Sequence, residues 1–389
     1  MGIEVRSKQD FVDRARAMAP RFATRAVAAE ETRRLPVESV KDMLNAGFAR
    51  ILLPTRIGGY GLGFDAWYEV MREISKADAS HGWCAGLVIH HAHLIAQFSE
   101  AAQKAIWVEN LDVPIAASFA PVATAVPVDG GYRVSSVGSS FASGVDHCSW
   151  VMLGGMAQDG PAPEWKFFLV APGEYTIRDT WFTAGMRATG SKTIVADNAF
   201  VPASHVLRLA DLRDGTGPGS AVNTDVIFRT PFFYYAPITF VTPMIGAAQG
   251  AYEHFREWTK TRKAQDGSSM AEKTAVQVRM ARATADIDAA DLLIRRAVHV
   301  TDAPHDYSPM LLARSIRDFS RASELTVAAI DALVALSGTA GFASSHPIQR
   351  AWRDIHFMSM HISLNVETNF THFGRMELGL GGDRSRPYF

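Results

Sequence analysis

Two groups of histidines stand at spacings that bear on chemistry. The run HHAH places His90, His91 and His93 together. The run RDIHFMSMHISLN, residues 353–365, places His356 and His361 among Ile355, Phe357, Met358, Met360 and Ile362. An imidazole titrates near neutrality, so it can serve as base, hydrogen-bond donor or metal ligand. Metal binding fits neither group. His90 and His93 can share a helix face, but no carboxylate lies within a turn on that face, and no second ligand pair has a suitable context. On a regular helix, at about 100° per residue, His356 and His361 point roughly 140° apart, too far to chelate one ion. No metal is expected. One histidine of this pair is expected to face the bundle and the other a pocket.

Other chemistries are excluded by missing motifs. No G-x-G-x-x-G follows a strand, and GGYGLG (58–63) has the wrong spacing for a nicotinamide site. There is no P-loop, no H-E-x-x-H and no G-x-S-x-G elbow. The formal net charge of −1 gives no general attraction to nucleic acid or an anionic membrane. No run of about 18 apolar residues stands out as a membrane span. The stretch MGIEVRSKQDF lacks the apolar segment of a secretory signal. Cys84 and Cys148 are the only cysteines, so no disulfide framework is expected. A cytoplasmic protein is the expectation.

The elements that must position these histidines fall into three blocks. Residues 1–112 read as a helical domain: Phe11, Ala15, Met18 and Phe22 recur at steps of three and four, and an apolar helix carries HHAH. Residues 113–208 are short β-rich runs parted by Gly-Gly, Asp-Gly and Pro-Gly turns, the pattern of a sandwich or barrel of about seven strands. Residues 209–231 are polar and glycine-rich, a loop or linker. From 232 to 389 helices return. Val276, Met280, Ala283, Ile287, Ala290, Ile294 and Ala297 form one seam, and Leu312, Ile316, Phe319, Ser323, Thr326, Ile330 and Leu333 a second. Seams of this kind on successive helices imply an antiparallel bundle.

Specific stretches carry a resemblance. GMRATGSKTIVADNAFVPASHV (185–206), LPTRIGGYG (53–61) and QRAWRDI (349–355) resemble segments of the acyl-CoA dehydrogenase superfamily. The resemblance implies an α+β fold with an N-terminal helical domain, a central β-sandwich or barrel and a C-terminal four-helix bundle. ASFAPVATAVPVDGGYRVSS and FASGVDHCSW are similar to the branch of two-component flavin monooxygenases. That branch implies an oxygenase component fed with reduced flavin by a separate NAD(P)H-flavin reductase. With O2 as co-substrate, it works through a C4a-hydroperoxyflavin on a phenol, indole or similar small aromatic. Reduced FMN is the expected flavin, with FAD as the other, and a homotetramer the expected assembly.

The same resemblance implies site residues. His91 matches the histidine set against the substrate, with His90 and His93 as rivals. Ser143 matches the serine at flavin N5, and Ser118 a second serine near flavin or substrate. His361 matches the C-terminal histidine that reaches the flavin and its oxygen adduct, which leaves His356 as a bystander, buried or at a subunit contact. Arg262 stands where a phosphate-binding arginine is expected, although the family's following Phe-Gly is absent. Thr189 and Ser191 would line the ring or phosphate, and Trp107 would wall the ring. The other reading is an acyl-CoA dehydrogenase. Its catalytic Glu would fall on Ile362, which cannot abstract a proton. Glu253 and Glu257 on an earlier helix keep that reading open.

Overall fold

The structure, a computed structural model, describes residues 7–303 and 307–382. The N-terminal block opens with α1 (Lys8–Thr32), where Ser7 and Asp10 form a capping box and Phe11, Ala15, Met18 and Phe22 point inward. α2 (Val37–Asn45), α3 (Phe64–Ala77), α4 (Ala79–Ile95) and α5 (Glu100–Trp107) complete it. α4 is buried on nearly every side. A helix apolar all round belongs at the centre of a large core, and α4 packs against α3, the first strand and the first bundle helix.

Seven strands follow: β1 (Ile115–Val128), β2 (Gly131–Ala142), β3 (Trp150–Ala157), β4 (Glu164–Val170), β5 (Thr176–Arg178), β6 (Lys192–Pro202) and β7 (Val206–Arg208). They form one mixed sheet in the order β5-β6-β2-β1-β3-β4-β7, with β1 and β3 parallel. The sheet curls on itself. Tyr132 of β2 and Phe168 of β4 have ring centroids 5.4 Å apart although two strands lie between them in the order. The curl encloses a core of its own around Val134, Leu153, Phe168, Ile194 and Val201. The sandwich-or-barrel expectation is thus met by a single curled sheet rather than two separate ones, because strand twist closes a wide sheet around small inward residues.

Residues 209–231 are not a free linker. They contain α6 (Leu209–Arg213) and short 3-10 turns, and Ile227 and Phe228 are buried. Gly219 lies so close to the end of α4 that a Cβ there would stand 1.9 Å from the Ala96 carbonyl oxygen. The glycines that signal a loop or linker in the sequence serve here for close approach.

After α7 (Phe232–Tyr235), the bundle consists of α8 (Ile238–Thr261), α9 (Thr274–Asp302), α10 (Pro309–Ser337) and α11 (Pro347–Ser359), with α12 (Val366–Glu377) packed on α10. Both seams face inward: Val276, Ala283, Ile287 and Ile294 on α9, and Ile316, Phe319, Ile330 and Leu333 on α10, are buried. Pro309–Phe342 is long and apolar enough, by length and composition alone, to cross a membrane. This corrects the expectation that no such run exists. The hydropathy arises because α10 is the central helix of the bundle, packed against α8, α9, α11 and α12.

Candidate active site

The histidine run lies on α4, and each ring is held by a different neighbour. His91 Nδ1 is 2.5 Å from the Ile115 carbonyl oxygen on β1. A carbonyl can only accept, so Nδ1 carries the hydrogen and Nε2 keeps its lone pair. His93 makes the reverse choice: its Nε2 donates to the Ile227 carbonyl oxygen at 2.8 Å. Its Nδ1 is buried without a partner. His90 Nδ1 lies 3.2 Å from Thr239 Oγ1, and its Nε2 is also unpartnered. Burial lowers the pKa of His91 and His93 to about 4, against the opposing effect of their carbonyl bonds. Burial also lowers His90 well below its ordinary value, helped by its two histidine neighbours. All three are neutral at pH 7. The rings pack among Phe64, Trp67, Phe228, Phe232 and Tyr235.

A second polar group crosses from α4 to the end of β2 and the loop before β6. Trp83 Nε1 donates to Ser143 Oγ at 3.1 Å. Ser143 Oγ is 2.7 Å from Ser191 Oγ, which is 2.6 Å from Thr189 Oγ1. Thr189 Oγ1 donates to the Met186 carbonyl oxygen at 2.8 Å. The backbone around this chain is specially shaped. Phe141 and Met186 have φ of 63° and 52°, uncommon for bulky residues. Met186 is gripped on both sides: its N–H donates to Asp354 Oδ1 at 2.6 Å, and Trp181 Nε1 donates to its carbonyl at 3.0 Å. Burial, with the nearby Asp78 carboxylate, pushes the Asp354 carboxyl up to about 7.

The second histidine pair is divided by a helix end. α11 stops at Ser359, and His361 adopts extended backbone and caps the next turn, its Nδ1 accepting from the Ser363 N–H at 3.2 Å. The regular-helix angle between His356 and His361 therefore does not apply. With Nδ1 accepting, Nε2 carries the hydrogen in the neutral ring, and burial lowers the pKa to about 4. His361 stacks on Phe240 of α8 at 3.6 Å, and Phe240 lies 5.5 Å from Trp83. His356 instead meets Asp331 at 2.9 Å near the surface. Trp83, Phe240 and His361 thus form an aromatic wall beside Ser143.

Comparisons with known proteins show the family. Residues 6–111 match the family "Acyl-CoA dehydrogenase, N-terminal domain", and residues 238–366 match "Acyl-CoA dehydrogenase, C-terminal domain". The chain is 35% identical, over 94% of its length and 97% of the relative's, to the flavin-dependent monooxygenase oxygenase subunit HsaA of Rhodococcus jostii. It is 35% identical, over 95% of its length and 94% of the relative's, to the FADH2-dependent resorcinol hydroxylase oxygenase component of a Rhizobium species. The crystal structure of the HsaA monooxygenase from M. tuberculosis superposes with a TM-score of 0.91 at 33% identity, covering 98% of this chain and all of that one. The chain belongs to the flavin-dependent monooxygenases built on the acyl-CoA dehydrogenase fold. It is an oxidoreductase, and its relatives' names as oxygenase subunits imply a separate reductase.

Within this monooxygenase the expected site residues do not all gather. Ser143, Ser191 and Thr189 lie in one hydrogen-bonded chain, with His361 on the adjoining wall. His91, on α4, bonds the first residue of β1, and Ser118 lies three residues further along that strand, its Oγ donating to the Ser140 carbonyl oxygen of β2 at 2.8 Å. Trp107 ends α5, buried, with an unpartnered Nε1 and no described contact to the chain. Arg262 donates to the carbonyl oxygens of Leu336 and Ser337 at 3.1 and 3.2 Å and packs over Trp258, so its fork caps α10. Trp83 and Phe240 were missed. Trp83 stands eight residues before His91 on the same helix, a spacing of about 12 Å along the axis, and was legible as an aromatic on the site helix.

These residues fit a flavin. A flat, amphipathic ring needs an apolar wall and a few fixed polar atoms. The aromatic wall, the Ser143 hydroxyl and the His361 Nε2–H supply them. Ser143 and His361 would hold the ring, whose reduced form supplies electrons to O2 when bound.

Proposed function

We propose that this oxygenase component hydroxylates a phenol, using O2 and reduced flavin delivered by a separate NAD(P)H-flavin reductase. The observation that carries this reading is the tautomer of His91. Its one hydrogen is committed to the Ile115 carbonyl, which leaves Nε2 as a lone pair ready for a phenolic proton. Removing that proton raises electron density on the ring to be oxygenated. A buried imidazole is a weak base alone, but a phenolate formed beside it would favour the imidazolium and offset the burial penalty. Ser143 would hold the flavin at its N5 edge, and the His361 Nε2–H would supply a hydrogen-bond donor to the ring. The resorcinol hydroxylase's name favours FADH2 over the FMNH2 to which the branch resemblance pointed.

Assembly as a homotetramer is supported by exposed Met360, Ile362, Leu378 and Leu380, apolar side chains that a partner surface would cover. Two unpaired cysteines fit a reducing compartment such as the cytoplasm. The dehydrogenase reading lacks a base. Ile362 is exposed, and Glu253 and Glu257 lie on the outer face of α8, with Glu257 paired to Lys260 at 2.6 Å.

The test is anaerobic mixing of the protein with FADH2, then addition of 18O2 and a panel of phenols that includes resorcinol. One labelled oxygen in the product supports the reading. Flavin oxidation with no label in any phenol ends it. Bleaching of bound oxidised FAD by an acyl-CoA would favour the dehydrogenase instead.

A further inference from the structure

The hydroxyl chain beside Ser143 has a direction, and its two ends fix it. At one end the Trp83 indole N–H can only donate. At the other the Met186 carbonyl can only accept. Between them stand three hydroxyls, Ser143, Ser191 and Thr189, joined by contacts of 2.7 and 2.6 Å. Each of the links is satisfied by one hydrogen only if every hydroxyl donates towards Met186. Ser143 then gives its hydrogen to Ser191, accepts from Trp83, and retains one lone pair. Reversal costs a bond: Ser143 could still accept from both Trp83 and Ser191, but the Thr189 hydroxyl would give up the Met186 carbonyl, which would keep only Trp181 Nε1 and the Thr189 N–H as donors.

From this we infer that Ser191 and Thr189 are positioning residues that hold Ser143 as an acceptor and so set which redox form of the flavin the site prefers. The inference rests on the reading that Ser143 meets flavin N5. Reduced flavin carries a hydrogen on N5 and can donate it to the free lone pair. Oxidised flavin has a bare N5 and needs a donor, which Ser143 supplies only at the cost of one bond of the chain, its own to Ser191 or, if the chain reverses, that of Thr189 to the Met186 carbonyl. The terminal acceptor is built to stay in place. Met186 is held by Asp354 and Trp181, and Gly185 lies so close to α11 that a Cβ would stand 2.3 Å from the Arg353 carbonyl oxygen. The Arg353–Asp354 segment therefore anchors the chain's direction from the bundle side. An oxygenase that borrows reduced flavin gains from such a bias, because spent flavin is released to the reductase.

The experiment measures affinity, not turnover. FADH2 is titrated anaerobically and FAD aerobically against the ligand-free protein, by flavin absorbance and fluorescence, in wild type and variants. Wild type should bind FADH2 at least about tenfold more tightly, the scale of one hydrogen bond. Ser191→Ala frees the Ser143 hydrogen and should narrow that ratio by about tenfold, mainly by tightening FAD. Ser191→Thr keeps the hydroxyl and should restore it. Thr189→Val, at the far end, should narrow the ratio in the same direction and carries the test if Ser191→Ala fails to fold. If Ser191→Ala and Thr189→Val weaken both forms by one factor, or leave the ratio unchanged while Ser143→Ala shifts it, the positioning role is overturned. If Ser143→Ala itself leaves both affinities at the wild-type value, the N5 reading beneath it falls.

Discussion

The molecule carries polar atoms into its apolar interior twice, and the two regions treat them in opposite ways. The chain from Trp83 to Met186 is satisfied at every link. The histidine face of α4 is not: His90 Nε2, His93 Nδ1, Gln97 Oε1 and Tyr235 Oη are all buried without partners. A closed chain fixes the direction of each hydrogen and so defines a binding preference before any ligand arrives. An open cluster keeps lone pairs and hydroxyls uncommitted, at a cost of about 1–3 kcal/mol for each orphaned group. The first region suits a cofactor presented in one orientation. The second suits the substrate side under the proposal that His91 takes a phenolic proton.

The largest expected effect lies on the open side. His91→Ala should lower kcat/KM for the phenol by about 100-fold, the lower range of general-base contributions, and the loss should shrink for phenols already ionised at the assay pH. An equal loss for all phenols would mean that His91 positions rather than deprotonates. Next comes the closed side. Ser143→Ala should lower the fraction of reduced flavin used for hydroxylation by about tenfold, read as excess hydrogen peroxide, because one hydrogen bond is lost. Unchanged coupling would detach the chain from the flavin.

Acid should act on the histidines first. Burial holds His91, His93 and His361 at about 4 and His90 well below its ordinary value. Each contributes stability that is present above about pH 6.5 and lost as pH falls towards 4. Asp302 and Asp354, raised to about 6 and about 7 by burial, act with the opposite sign: their stabilisation is lost as pH rises through those values. With four histidines against these two carboxyls, Tm should fall between pH 7 and pH 5, and Asp354→Asn should steepen the fall by removing one opposing group. A flat Tm over that interval would contradict the burial of the histidine face. Tyr235→Phe deletes an orphaned hydroxyl and should be neutral or stabilising by up to about 1 kcal/mol in a chemical denaturation. A loss of more than that would mean the hydroxyl is bridged, and the contrast between the regions would collapse. Smallest of all, His356→Ala removes a surface contact with Asp331 and should change stability by about 0.5 kcal/mol with activity intact.

Much of the fold was legible because it rests on local pattern. The seams of α9 and α10 and the turn-punctuated strands follow from which residues must face a core. The candidate site was legible only in parts. Ser143, His91 and His361 came from motif resemblance. Trp83 and Phe240, which wall the same space, belong to no motif and lie in ordinary helical context. Residues 209–231 looked like a linker because glycine signals a turn and a close approach equally well.

The sequence by itself determined the order of helical block, strand block and bundle, the family, and the absence of a carboxylate base at position 362. Those depend on periodicity and on residue identity. Only the tertiary structure decided that His91 keeps its Nε2 free, that α11 ends before His361, and that Ser191 and Thr189 stand in line with Ser143. The first and third depend on a hydrogen-bond partner from a segment remote in the chain, and the second accompanies the stacking of His361 on Phe240 of α8; such partners are set by packing rather than by neighbours in sequence.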